Sequence, residues 1–164
     1  VVYRRHGDPK LALNALAQTP GWQEHLPPQT ILTPHPGEMA RLCDCTTAEV
    51  QANRLGLALE KAAAWNAVVA LKGAYTVIAA PDGRAVMLPF ANPALATAGS
   101  GDVLAGAMAG ALAQGLTVFD AAVVGGYLHG LAGELARQEL GDAGVVAGDL
   151  LIRLPLAIQR LRHA

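Results

Sequence analysis

Runs of apolar residues, broken at regular intervals by polar and turn-forming ones, divide the chain into elements. Residues 11–17 favour a short helix that Thr19-Pro20-Gly21 ends. Before it, residues 3–10 are charged and follow no clear period. Residues 29–33 lie between Pro27-Pro28 and Pro34 and read as a brief buried strand. Thr46, with Glu49 three positions on, has capping-box spacing and predicts a helix to about residue 65. Residues 67–71 form an apolar run of strand length and residues 77–80 a second. Pro81-Asp82-Gly83 then turns the chain into a third strand, residues 85–88, expected to pair antiparallel. Beyond Asn92-Pro93 a helix is expected over residues 103–114. Thr117, with Asp120 at its third position, opens another that carries Gly125, Gly126, His129, Gly130 and Gly133. Such glycine density lowers intrinsic helicity, so close packing must offset it. Residues 141–148 read as a loop, and Asp149 caps a last helix to residue 161, with Pro155 as its expected kink.

Composition narrows this picture. A chain of 164 residues fits one domain and can bury a core without disulfides or metal. Its apolar content comes from Ala, Val, Leu and Gly rather than from aromatics, which suits buried parallel strands under closely packed helices. With 12 basic and 13 acidic residues the net charge is -1, so no general nucleic-acid or anionic-membrane surface is expected. The most apolar stretch, residues 103–119, is interrupted by Gln114 and Thr117, and no membrane span is assigned. Cys43 and Cys45 lack a second ligand pair. No zinc site and a reduced, cytoplasmic setting are therefore expected. The start, Val1-Val2-Tyr3, lacks a methionine and a signal-peptide core, and the chain is expected to be a fragment.

Three stretches carry candidate chemistry. In Thr97-Ala98-Gly99-Ser100-Gly101-Asp102 the small residues permit a turn whose amides, at a helix start, would face a phosphate or a developing anion, with Asp102 beside it. The alternative is a plain helix with Asp102 as N-cap after a glycine turn. Thr33-Pro34-His35-Pro36-Gly37-Glu38 follows a buried strand, where α/β sheets collect ligands, and the two prolines restrict the backbone around His35. The alternative is a solvated loop histidine. In Lys72-Gly73-Ala74-Tyr75-Thr76 the lysine could meet a nucleotide phosphate, Gly73 permits close approach and Thr76 offers a hydroxyl. The alternative is a hairpin turn with a solvated lysine.

Together with Asn92-Pro93 through Gly106 and the segment Asp149 to Ile158, these motifs resemble, in order, the ribokinase-like superfamily. Within it they are most similar to the ADP/ATP-dependent NAD(P)H-hydrate dehydratases of the YjeF C-terminal type. The resemblance implies an α/β fold: a three-layer α/β/α sandwich with a mostly parallel sheet, truncated on the N-terminal side. Residues 1–164 would be the C-terminal portion of one such domain, and residues 1–10 a start that is not native-like. It implies that Lys72, Gly73, Ala74, Tyr75, Thr76 and Gly101 hold the adenine nucleotide. His35 and Asp102 would contact the substrate, (S)-NADHX or NADPHX, with Asp102 catalytic. The implied cofactors are ADP or ATP and Mg2+, with no magnesium ligand assigned. A homo-oligomer is implied, and an N-terminal epimerase domain in the full-length protein.

The chain departs from that family in one segment. Where family members carry D-A-D-x-L-N, this sequence has Pro9-Lys10-Leu11-Ala12-Leu13-Asn14, with Asp8 one position upstream as a poor substitute. Two other readings follow: a nucleotide-binding fragment without catalysis, and a small-molecule kinase of the same superfamily.

Overall fold

The computed structural model describes residues 9–163. The charged start, including Asp8, lies outside them. The chain divides into two compact units at Met87/Leu88.

The first unit runs through α1 (Pro9–Ala17), β1 (Ile31–Leu32), α2 (Pro36–Cys43), α3 (Thr47–Ala52), α4 (Arg54–Trp65), β2 (Val68–Leu71), β3 (Val77–Ala79) and β4 (Ala85–Met87). The strands form one sheet in the order β1-β2-β3-β4. Only β1 and β2 are parallel, in register Ile31 to Val68 and Leu32 to Val69. The other two pairs are antiparallel. The expected mostly parallel sheet is thus corrected to a mixed one. Parallel neighbours need a long crossover, supplied here by α2, α3 and α4 between β1 and β2, whereas the short links after β2 and β3 can only reverse the chain.

β1, β2 and β3 are buried throughout, and β4 is the exposed edge. Their core includes Leu32, Met39, Val50, Val69 and Leu71, with Trp22 and Trp65 packed in a tilted arrangement at a ring separation of 5.0 Å. Each such fully buried aliphatic side chain contributes about 1.5–3 kcal/mol. Thr46 caps α3 through the predicted box: its Oγ1 accepts from the Glu49 amide and the Glu49 carboxylate accepts from the Thr46 amide. The single helix expected from there to residue 65 is broken at Asn53. The Asn53 side-chain oxygen folds back to accept from the Gly56 amide at 3.2 Å and starts a second helix.

The second unit contains α5 (Ser100–Ala113), α6 (Val118–Leu140), α7 (Ala147–Leu151) and α8 (Leu154–Arg162). Thr117 caps α6 as predicted, its Oγ1 accepting from the Asp120 amide. The single last helix expected is two. Pro155 sits in the first turn of α8, where its missing N–H breaks no bond, and Asp149 lies in α7 with its carboxylate accepting from the Val146 amide. Gly106 and Gly110 lie on the exposed face of α5, where an added Cβ would meet nothing within 4 Å. The close approach is made by Gly125 of α6, whose Cβ would lie 2.6 Å from the Met108 backbone nitrogen. Gly125→Ala is therefore expected to lower stability by about 1–3 kcal/mol, read from the urea unfolding midpoint. Among the described residues no helix is long and apolar enough to cross a membrane.

Candidate functional site

Because β1 and β2 are parallel, their carboxyl ends lie side by side. The chain leaves β1 through the His35 stretch and β2 through the Lys72 stretch. The Lys72 amide donates to the Pro34 carbonyl at 2.8 Å, which extends the ladder between the two segments. Two of the three sequence-predicted stretches are thus neighbours at the sheet edge where α/β proteins take up ligands.

The His35 stretch is a capped helix start rather than the polar loop expected. His35 is the N-cap of α2, and its Nδ1 accepts from the amides of Gly37 at 3.1 Å and Glu38 at 3.2 Å. Pro36 occupies the first turn without losing a bond. Glu38 answers with Oε2 accepting from the His35 amide at 2.7 Å, closing the capping box. With Nδ1 an acceptor, the proton of the neutral ring sits on Nε2, 3.5 Å from Glu38 Oε1. Gly37 leaves room for the ring, since a Cβ there would lie 3.1 Å from His35 Cε1. The imidazole stays half-exposed while Glu38 is buried.

Lys72 completes this cluster. Its Nζ stands 3.7 Å from Glu38 Oε2. One buried carboxylate thereby faces two predicted site residues, His35 and Lys72. The sequence alone assigned no role to Glu38.

The loop at residues 72–76 joins β2 and β3 as a hairpin, and Gly73, Ala74 and Tyr75 are exposed. Its backbone is not relaxed. Gly73 has φ +140° and Tyr75 φ +53°, both in the region that disfavours side chains. Thr76 Oγ1 donates to the Gly73 carbonyl at 3.1 Å, so the hydroxyl expected to face a ligand also braces the turn. Arg54 supplies a further brace that the sequence did not reveal. It donates to the carbonyls of Leu71, Lys72 and Ala74, and burial lowers its pKa from the ordinary value.

The third stretch lies in the second unit. Gly99, at φ +84°, is the N-cap of α5 and offers no side-chain cap, so the alternative of Asp102 as N-cap is excluded. Asp102 sits in the first turn and is exposed. The Ser100 and Asp102 amides already donate within the turn, to Thr97 and Gly99 carbonyls at 3.3 and 3.0 Å. Of the predicted anion donors, the Gly99 and Gly101 amides have no acceptor among the described residues. Ser100 Oγ donates to the Leu95 carbonyl at 2.6 Å and pins the turn from beneath.

Cys43 and Cys45 are free thiols, and burial pushes Cys43 up to about 11, far from a reactive thiolate. Among the described residues no group of three or more His, Cys, Asp or Glu side chains could hold a metal ion.

Residues 11–155 match the family model described as NAD(P)H-hydrate dehydratase. The chain is 51% identical over 154 residues to a bifunctional NAD(P)H-hydrate repair enzyme of Moorella thermoacetica, covering 93% of this chain and 29% of that protein. Its structure is similar to that of an ADP/ATP-dependent NAD(P)H-hydrate dehydratase from Bacillus subtilis co-crystallized with ATP/Mg2+. The TM-score is 0.76 at 40% identity, over 79% of this chain and 47% of the other. It is also similar to a ribokinase-like superfamily protein from Enterococcus faecalis, with TM-score 0.76 at 26% identity over 92% and 50% of the two chains. The chain spans no more than half the length of each of these proteins.

Proposed function

Because the chain belongs to the NAD(P)H-hydrate dehydratase family and shares the ribokinase-like fold, we propose that it takes part in dehydrating (S)-NADHX and NADPHX to NADH and NADPH. ADP or ATP would be the phosphoryl donor. One observation carries the reading most: the His35 and Lys72 stretches are neighbours at the carboxyl ends of β1 and β2, facing one buried carboxylate.

Residues 72–76 would hold the nucleotide, with Lys72 as counter-charge to its phosphates and the exposed backbone of Gly73, Ala74 and Tyr75 against its neutral part. Gly73 keeps this backbone bare, and a Cβ there would lie 3.1 Å from the Arg54 guanidinium. The Gly101 amide, at the positive end of α5, would add a donor for a phosphoryl oxygen. His35 would contact the hydrated dinucleotide through its exposed edge. Magnesium would come with the nucleotide and its phosphate oxygens.

The bound nucleotide supplies a terminal phosphoryl group that makes the C6 oxygen a good leaving group. Asp102 orients the C6 hydroxyl and accepts its proton as the new O–P bond forms and the bond to the departing nucleotide breaks. The C6–O bond then breaks with its electrons going to phosphate, and loss of a proton from C5 restores the ring double bond. The net change is one hydrated dinucleotide and one ADP giving one NAD(P)H, one phosphate and one AMP. Positioning and electrostatics do most of the work in such a transfer.

The assay that tests the reading incubates the protein with NADHX plus ADP, and separately with ATP and a panel of small alcohols. Consumption of NADHX supports the dehydratase; consumption of an alcohol overturns it in favour of a kinase. His35→Ala is expected to raise KM for the hydrated dinucleotide roughly tenfold, the equivalent of about 1.4 kcal/mol, with little change in kcat. We further expect a homo-oligomer, a cytoplasmic setting and, in the whole protein, an N-terminal epimerase domain.

A further inference from the structure

We propose that Arg54 is a positioning residue for the nucleotide loop, its guanidinium fork holding the Lys72-to-Thr76 backbone in its binding conformation. This rests on the reading that the loop holds the nucleotide.

Arg54 is placed where helix stability alone would not put it. It is the first residue of α4, at the positive end of the helix dipole, where a cation is unfavourable, and the first turn of α4 holds no acid to offset it. Asn53 sets this position by ending α3 and capping α4 through the Gly56 amide. An added Cβ at Gly56 would lie 2.5 Å from Asn53 Oδ1, so glycine is needed for the cap to close.

From there the side chain reaches across to the hairpin. One terminal nitrogen donates to the carbonyls of Leu71, at 3.0 Å, and Lys72, at 3.3 Å; the other donates to the Ala74 carbonyl. A planar fork with fixed donor directions can hold carbonyls on both sides of Gly73 at once. Gly73, at φ +140°, lies between them, and its missing Cβ is what lets the guanidinium approach. The buried Arg54 Nε has no hydrogen-bond partner among the described residues, so the guanidinium has been carried into a half-buried place for these carbonyl bonds. The acceptors are main-chain groups of the segment whose amides and lysine would meet the nucleotide. Arg54 therefore fixes which way those groups point while standing behind them.

The experiment measures ADP affinity by calorimetry and backbone exchange by hydrogen–deuterium mass spectrometry for wild type, Arg54→Ala, Arg54→Lys and Gly73→Val. Emission of Trp22 and Trp65, the only tryptophans and both in the core, reports folding independently of the loop. Arg54→Ala is expected to weaken ADP binding at least tenfold and to speed exchange at residues 73–76, with tryptophan emission unchanged. Arg54→Lys keeps the charge but not the fork, and is expected to recover only part of the affinity.

If wild type binds no ADP, or Gly73→Val binds it as wild type does, the nucleotide-loop reading fails and takes this proposal with it. If Gly73→Val loses ADP while Arg54→Ala keeps wild-type affinity or exchange, the proposal alone is overturned. Full recovery in Arg54→Lys overturns it too, since charge and not the fork would then suffice. Should Arg54→Ala not fold, Arg54→Lys is judged by the same affinity and exchange criteria. If neither folds, the residue serves the whole unit and the assignment to the loop is wrong.

Discussion

Asp102→Asn is expected to cut the rate of NADHX dehydration by about 10²–10⁴-fold while leaving ADP affinity unchanged. Asn keeps the shape and one acceptor oxygen, so it can still orient the C6 hydroxyl, but it cannot take its proton. The side chain is exposed in the first turn of α5 and Gly99 provides the helix cap, so the substitution removes no structural bond that the described residues show. Loss of an acid near a helix start costs only about 0.3–1 kcal/mol of stability. A rate loss with an intact fold would thus report chemistry. An Asp102→Asn protein that binds ADP normally and keeps full activity contradicts the catalytic assignment.

Glu38→Ala is expected to act on binding and stability together. The carboxylate is buried, accepts the His35 amide at 2.7 Å, and faces His35 Nε2 at 3.5 Å and Lys72 Nζ at 3.7 Å. Truncation opens the capping box of α2 and leaves a lysine without its buried counter-charge, a loss of about 1–3 kcal/mol in unfolding free energy. His35 and Lys72 each lose their contact with the carboxylate, so KM for the hydrated dinucleotide and for ADP should both rise. Glu38→Gln retains an acceptor for the His35 amide and should recover most of the stability but not the ADP term, which depends on charge. Denaturant titration and substrate saturation on the two variants separate these contributions.

Much of the first unit was legible because its signals are local. A Thr with an acid three residues on specifies a cap, and residues 46–49 here and 117–120 in the second unit behaved accordingly. Apolar runs bounded by Pro, Gly and Asp located β2, β3 and β4, and the length of the intervening turns dictated their antiparallel pairing. The His35 cap escaped notice because histidine is not among the usual capping residues, although Pro36 and Glu38 stood at the positions a helix start prefers. The helix break at Asn53 was also encoded locally, but a continuous apolar period masked it. Arg54 could not have been found at all. Its partners lie 17 to 20 residues away, and only the folded hairpin brings them within reach. The packing glycines show the same limit. Gly106 and Gly125 look alike in sequence, and only the face each turns to its neighbours distinguishes open surface from contact with Met108.

The central claim is that this chain supports nucleotide-driven removal of water from a hydrated nicotinamide. Its most direct test is a stoichiometry: NADHX and ADP are supplied to the protein, and NADH, inorganic phosphate and AMP are followed together. All three are expected to appear in equal amounts, and none when ADP is withheld. NADH formed without phosphate, or no NADH at all from folded protein that binds ADP, would contradict it.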